Sequence, residues 1–429
     1  METGDSLTAS ALRQKPARIR KIQLVTLTLL FIAGIVNFLD RSSLSVASEA
    51  IRGELGLSAT ELGVLLSAFS LSYGFAQLPS GLLIDRFGSR LVLGGGLILW
   101  SLMQALTGIV NSFSHFILLR IGLGIGEAPF MPAGVKSITD WYVAKERGKA
   151  LGIFNSSTVL GQAIAPPALV LMQIAWGWRT MFVVIGLAGI LVGVCWYVWY
   201  RNRDKFALQK DEQHYLATPS VPQPQLSLKE WGALFKRRTV WGMILGFSGV
   251  NYTGWLYIAW LPSYLQAQQG FSLAKTGWVA AIPFLAAALG MWCNGFVLDA
   301  CAKRGFDLAK TRKTAIVTGL VLSASGTLLV VQSTTPAAAV AFISMALFCV
   351  HFAGTSAWGL VQVMVSEAKV ASVASIQNFG SFVFASFAPV VTGWVVDTTG
   401  SFDLALIIAA CVTFLGALCY AFIVKNNVE

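Results

Sequence analysis

The sequence predicts an all-α membrane protein of twelve transmembrane helices, arranged as two six-helix pseudo-repeats. Three observations carry that reading. Of 429 residues, 55% are hydrophobic and only 12% are charged, about half the charge of an average soluble domain. A soluble chain of this size could not hide so much apolar surface, so lipid must be the solvent for most of it. Apolar stretches of about 20 residues recur twelve times. A polar segment in the middle divides them six and six, and a short motif returns about half a chain later.

The elements follow in order. Residues 1–21 are polar and basic, and the apolar run behind them has no A-x-A-like cleavage site, so it reads as a retained signal-anchor helix. Span 1, 22–47, is uncharged from Leu24 to Leu39 and then carries Asp40 and Arg41 side by side. Ending it at Leu39 leaves a helix too short to cross, so it runs on to Ala47 and the charged pair lies within its second half. Span 2, 59–84, leads into "GLLIDRFGSR" at 81–90, and span 3 covers 91–110. Span 4, 113–138, holds Arg120, Glu127 and Lys136. Span 5, 147–174, contains the polar stretch Asn155, Ser156, Ser157, Thr158 and, a turn later, Gln162; span 6 is 179–200.

The central loop, 201–238, is polar and Pro-containing ("ATPSVPQPQ"). In its last part Leu228, Trp231, Leu234 and Phe235 recur at helical spacing, which predicts an amphipathic segment on the membrane surface. Span 7, 239–265, is rich in aromatics, and span 8, 274–299, ends in "GFVLDACAKRG" (295–305), an echo of the motif after span 2. Spans 9 to 12 are 313–332, 335–362, 368–396 and 402–424, with a tail at 425–429. The expected organisation is therefore one bundle over 22–200 and a second over 239–424.

Charge sets the orientation. The two terminal segments, the central loop and the connections on the same side hold 25 of the 31 Lys and Arg residues. By the positive-inside rule both termini and the central loop are expected in the cytoplasm. The net charge of +11 does not indicate nucleic acid, because the basic residues sit in loops and form no separate domain. The six cysteines show no CxxC spacing, so neither a disulfide framework nor a zinc site is expected. A phosphate-cradling loop, GxSxG and HExxH are all missing, and three histidines leave little for acid–base chemistry, so an enzyme is not expected.

"GLLIDRFGSR" resembles the loop 2–3 signature of the major facilitator superfamily. Read physically, Gly81 permits close helix contact. Asp85 can face a helix N-terminus or a loop arginine, and Arg86, Gly88 and Arg90 complete a tight basic turn. The resemblance implies a major facilitator fold and makes this element a conformational latch. Three further stretches, "VNFLDRSSLSVA" (36–47), "RIGLGIGEAPFMPAG" (120–134) with "DWYVAKERGKALGIFN" (140–155), and "SIQNFG" (375–380), are similar to the anion:cation symporter branch. Its bacterial members carry hexonates and hexuronates. The resemblance thus implies a proton-coupled importer of an organic anion in a bacterial inner membrane. It implies no cofactor beyond the proton gradient, and its partners are a small organic anion, protons and lipid. A monomer is expected.

Charges within spans are costly and normally face a wet cavity or a partner. Arg41 either snorkels to headgroups or faces a central cavity, where its fork matches a carboxylate. The length of span 1 favours the cavity. Asp40 lies about 100° around the helix from Arg41 and must look toward another helix, with span 4 and Arg120 the natural choice. It is either half of a structural ion pair or a second proton site. Glu127 shares a face with Arg120 at about 10 Å along the axis, and Pro129 and Pro132 interrupt the helix behind it. The resemblance makes Glu127 the main proton carrier; the structural alternative is a buried protonated glutamate bonded to a hydroxyl.

For hydroxyl and aromatic contacts, Tyr73 and Gln77 share a face of span 2. Asn251, Trp255, Thr355 and Trp358 add to the inventory, with Asn378 in span 11. Family matching singles out Tyr73, Trp358 and Asn378. Thr158 aligns where hexonate carriers tend to place a glutamine, with Gln162 one turn later, and that leaves the particular acid open. Polar side chains also join helices in lipid, so each has a structural alternative. His351 reads as a packed or hydrogen-bonded core residue. Rival functions are uptake of a phthalate-like aromatic acid, drug efflux and a non-transporting sensor. Span 5 carries "AIAPPALV" where the antiporter signature has Gly before Pro and a later Gly pair, and no long extension marks a sensor.

Overall fold

A computed structural model describes residues 15–216, 228–366 and 369–425. The stretch 217–227, which contains the prolines of the central loop, lies outside the described residues, as do 1–14 and 426–429. Among the described residues ten helices are long and apolar enough to cross a membrane. One of them, Ala144–Trp199, runs 56 residues and turns at Gly177, where φ is 78° and ψ 163°. It therefore supplies both span 5 and span 6. Arg238–Ala267 adds a 30-residue span 7, about 45 Å at the rise of an α-helix; its tyrosines, tryptophans and Asn251 lower its hydropathy. Twelve spans result.

Two expected boundaries differ from the structure. A connection is predicted between 174 and 179, but the chain needs only Gly177 to turn. The space around that Cα is open, so glycine is required there by its left-handed backbone alone. Span 11 is not one helix: Val370–Ala385 stops and Ala388–Thr399 restarts, with Pro389 in the new first turn, where a missing N–H costs nothing. Span 4 breaks as the sequence predicts. One helix ends on Glu127 and the next begins at Phe130, so the acid sits on a terminal turn. The stretch Leu228–Leu234 is helical, with Leu234 buried; the side chains of Leu228 and Trp231 lie outside the described residues.

The first six spans and the last six meet closely at the end away from the termini. There Gly63 abuts the backbone of Pro389, and Gly393 abuts that of Ala59; a Cβ at either would collide with main chain. Small residues at helix contacts let backbones approach in this way. Ser45 Oγ donates to Ala259 O at 2.6 Å, and the hydroxyls of Ser48 and Ser263 lie 2.6 Å apart. The Asp397 carboxylate accepts from Ala59 N (2.9 Å) and Thr60 N (2.7 Å), closing over the N-terminus of span 2.

Toward the basic end the two groups part. The Asn378–Gln77 bond (3.3 Å) and the Phe75–Phe379 ring contact are the innermost links between spans 2 and 11. Beyond them Leu82, Leu83, Asp85 and Arg86 are exposed, and no atom lies within 4 Å of where a Gly81 Cβ would stand. The close contact expected at Gly81 is therefore absent in this arrangement, because the basic ends of spans 2 and 11 are apart. Asp85 likewise has no ion pair or hydrogen bond among the described residues. The rest of the motif is a turn. Gly88 adopts φ 82°, Arg90 N donates to Asn202 Oδ1 (3.0 Å), and Arg90 Nε donates to Tyr197 O (2.9 Å), binding the loop to the end of span 6. Arg86 rests over Phe87.

Candidate functional site

A cavity of about 240 Å³ lies midway between the two groups of spans. Spans 1 and 5 contribute Phe38, Arg41 and Gln162; spans 7, 10 and 11 contribute Asn251, Trp255, His351, Thr355, Trp358 and Phe382. Five Phe and Trp rings and five polar side chains share the lining with aliphatic residues and glycine, an apolar wall with a few placed polar groups as in small-molecule sites generally.

Arg41 is the cation of this cavity. Its side chain is 11% exposed, and its Nε donates to Glu127 Oε2 at 2.8 Å, with the glutamate fully buried. Rings of Tyr73, Phe69 and Phe38 surround the guanidinium at 4.6, 5.5 and 5.4 Å. Such faces favour a cation that has left water. Among the described residues no second carboxylate pairs with Arg41. The Nη fork is thus uncommitted to any other acid.

Asp40 points away from this cavity, as helix geometry requires, but its partner is not on span 4. Its Oδ2 accepts from Trp100 Nε1 of span 3 at 3.0 Å, and no ion pair with Arg120 forms. The expectation of a span 1–span 4 pair through Asp40 is corrected to a span 1–span 3 hydrogen bond. The ion pair that does join spans 1 and 4 is Arg41–Glu127. The reason is rotational: Asp40 and Arg41 lie about 100° apart on span 1, so with Arg41 on Glu127 of span 4 the Asp40 carboxylate faces span 3. Arg120 is buried between Phe116 and Phe182, at 5.4 and 5.5 Å. Asp40 Oδ1, Glu127 Oε1, Asn37 Nδ2, Ser101 Oγ and Arg120 Nε have no hydrogen-bond partner among the described residues. A cluster of buried polar atoms therefore lies behind span 1.

The neutral candidates divide. Gln162 and Trp358 line the cavity, and the Trp358 ring stands edge-on to Phe247. Tyr73 is buried one layer behind, stacked on Phe69 and 5.6 Å from Phe382. Gln77 and Asn378 bond each other across the two groups rather than line the space. Thr158 does not line it either; its hydroxyl donates to Asn155 O at 2.7 Å, so the residue one turn later, Gln162, occupies the wall. Lys136 pairs with Asp140 at 3.2 Å along its own helix. Tyr257 and Trp260 face other helices, bonding Thr327 and Pro389.

His351 is hydrogen-bonded as expected, its Nδ1 2.9 Å from Leu347 O, but it also lines the cavity. Its spacing of four and seven residues before Thr355 and Trp358 puts all three on one helix face, and that periodicity was the available signal. Phe382, Phe247 and Met291 of the lining carry no signal of their own in so apolar a chain.

Twelve spans in two groups around a central, cation-bearing cavity define a multi-pass membrane protein of the secondary-transporter class. Residues 30–379 match the family model of the Major Facilitator Superfamily, and the chain belongs to that family. It is 55% identical over 97% of its length, and 92% of the relative's, to the probable L-galactonate transporter of Escherichia coli K12. It is 31% identical to the D-galactonate transporter of Escherichia coli O6:H1, covering 96% and 97% of the two chains. Among solved structures, a bacterial homologue of the lysosomal transporter Spinster superposes with a TM-score of 0.77 at 20% identity, covering 93% of this chain and 98% of that one.

Proposed function

We propose that this protein imports a sugar acid, a hexonate of the galactonate type, by proton-coupled alternating access. The observation that supports it most is the Arg41–Glu127 pair at the edge of the cavity. A guanidinium there can take a substrate carboxylate through two parallel hydrogen bonds. A proton on Glu127 cancels the charge that holds Arg41 and competes with the anion. Proton and anion binding then favour each other, which is the sign that symport requires. Asp40 and the unpaired polar atoms around Arg120 offer a second place for a proton beside the first. Gln162, Asn251 and Thr355 supply hydrogen-bonding groups for hydroxyls, and Trp255 and Trp358 supply faces for the C–H side of the chain.

The 240 Å³ of the cavity is below the roughly 300–1,000 Å³ of drug-sized sites, which supports a six-carbon acid over efflux of larger compounds. The share of rings in the lining also suits an aromatic acid, the second reading. In the cell, the basic face with both termini is assigned to the cytoplasm, in the inner membrane of a bacterium, with the protein acting as a monomer and the proton gradient as its sole energy source. The bundles 22–200 and 239–424 rock about the cavity, and the turn at 81–90 latches them on the cytoplasmic side when that side closes. The test is uptake of L-galactonate, D-galactonate, galactarate and phthalate into proteoliposomes with an inward proton gradient. Accumulation of a galactonate, abolished by an ionophore, is expected. Accumulation of phthalate alone selects the aromatic reading, and no gradient-driven accumulation of any acid refutes import.

A further inference from the structure

Span 10 turns His351, Thr355 and Trp358 into the cavity, and the mechanism above makes no use of the histidine. Its Nδ1 sits 2.9 Å from Leu347 O. A carbonyl oxygen only accepts, so Nδ1 must carry the hydrogen. In the neutral ring Nε2 is then a lone pair with no hydrogen. That atom bonds no described residue and is not among the sealed, unpartnered atoms, so it is open to the cavity its residue lines.

The neighbouring hydroxyl shares this polarity. Thr355 donates its hydroxyl hydrogen to His351 O (3.0 Å), so its oxygen keeps acceptor capacity for a ligand. Asn251 of span 7 donates one amide hydrogen to Ser381 Oγ (2.8 Å) and keeps its carbonyl oxygen and a second hydrogen. Span 10 thus presents acceptors at His351 and Thr355, while the wall carrying Arg41 presents charged donors.

A ligand that matches both walls is an anion at one end and a hydroxyl donor at the other. We propose that His351 Nε2 accepts a hydrogen bond from a hydroxyl at the end of the substrate remote from its carboxylate. The site thereby selects a monocarboxylic polyol over a dicarboxylate of equal length. A second carboxylate would bring an oxyanion against the lone pairs of His351 Nε2 and Thr355 Oγ1. This inference rests on the reading of the cavity as a sugar-acid site.

The experiment is calorimetric titration of the purified, full-length protein at about pH 8, where an ordinary imidazole is neutral. The ligands are L-galactonate, 6-deoxy-L-galactonate and galactarate. The wild type is expected to bind L-galactonate about tenfold more tightly than the 6-deoxy acid, the scale of one neutral hydrogen bond, and galactarate more weakly than L-galactonate. His351→Leu should lower L-galactonate affinity about tenfold, leave the 6-deoxy acid unchanged and bring the ratio near one. His351→Gln, whose amide keeps an acceptor at similar reach, should retain part of the preference. Equal wild-type affinity for the hydroxy and deoxy acids overturns the proposal, as does an intact ratio in His351→Leu. If the leucine variant does not fold, the wild-type ratio and the glutamine variant decide. Wild-type protein that binds none of the acids at about pH 8 or at about pH 6, where the proton that aids anion binding is more available, refutes the sugar-acid reading itself, a different outcome from binding without discrimination.

Discussion

Arg41 and Glu127 show how much one pair of side chains can determine. With its partner fully buried, a guanidinium in this cavity is worth several kcal/mol to a bound carboxylate, since truncating one side of a desolvated charge pair costs about 2–5 kcal/mol. Arg41→Ala is therefore expected to weaken sugar-acid binding at least about 30-fold. Affinity within a few-fold of wild type in a titration would remove Arg41 from the role. Glu127→Gln keeps the shape and cannot exchange a proton. It should lose gradient-driven accumulation while retaining counterflow exchange of labelled substrate, and uptake that keeps its full pH dependence would place the proton elsewhere. Glu54, in the connection between spans 1 and 2, has a different task. Hydrogen bonds from Trp178 Nε1 (2.6 Å) and Arg179 Nε (2.9 Å) hold its carboxyl below the ordinary 4.5. Its contribution to stability is present above the ordinary carboxylate range and is lost as pH falls through the lowered value. The melting temperatures of Glu54→Gln and wild type should differ at neutral pH and converge in acid.

Breaks within helices place the site at the scale of the element. Glu127 is the last residue of Phe113–Glu127 and continues the stripe that runs from Arg120, and Pro129 caps the helix that follows. The break beyond it leaves the acid on a terminal turn. The turn at Gly177 has no packing reason, only its positive φ. A Cβ in left-handed backbone costs about 1–2 kcal/mol, so Gly177→Ala should lower thermal stability by that amount without changing substrate affinity. An unchanged melting temperature would show that spans 5 and 6 can turn without the left-handed residue. Spans 3 and 4 were legible from apolarity and length, and the connection expected between 174 and 179 contains the turn; that Gly177 alone makes it was not legible, because a one-residue hinge leaves no polar gap.

The whole molecule is closed at one end and open at the other, and Asp397 is the most charged link at the closed end. Its carboxylate caps the exposed amides of span 2, where a helix N-terminus carries partial positive charge. Losing a cap costs about 1 kcal/mol, enough to shift a two-state balance several-fold. Asp397→Ala is expected to raise the population open at that end. The check is distance measurement between spin labels on the first and last six spans, and an unmoved distribution would show that the glycine contacts at 63 and 393 suffice to hold the closure. Gly81 and Asp85 have no partner among the described residues in this state. If the motif is a latch, as proposed, those contacts form when the basic end closes, and the sequence shows only its turn.

The order of residues by itself determined the number of spans, the six-plus-six division of apolar stretches, the side on which basic residues gather and the presence of an arginine and two acids where lipid tolerates few charges. Those properties follow from desolvation, which acts on each segment separately and is therefore readable along the chain. Tertiary structure decided which acid pairs with Arg41, that Asp40 turns to Trp100, that Gln77 and Asn378 spend their amides on each other, and that His351 faces the cavity. These depend on the rotation of one helix against another and on breaks of one or two residues. A hydrogen bond at 3 Å is sensitive to such rotations, whereas the burial of a twenty-residue helix is not.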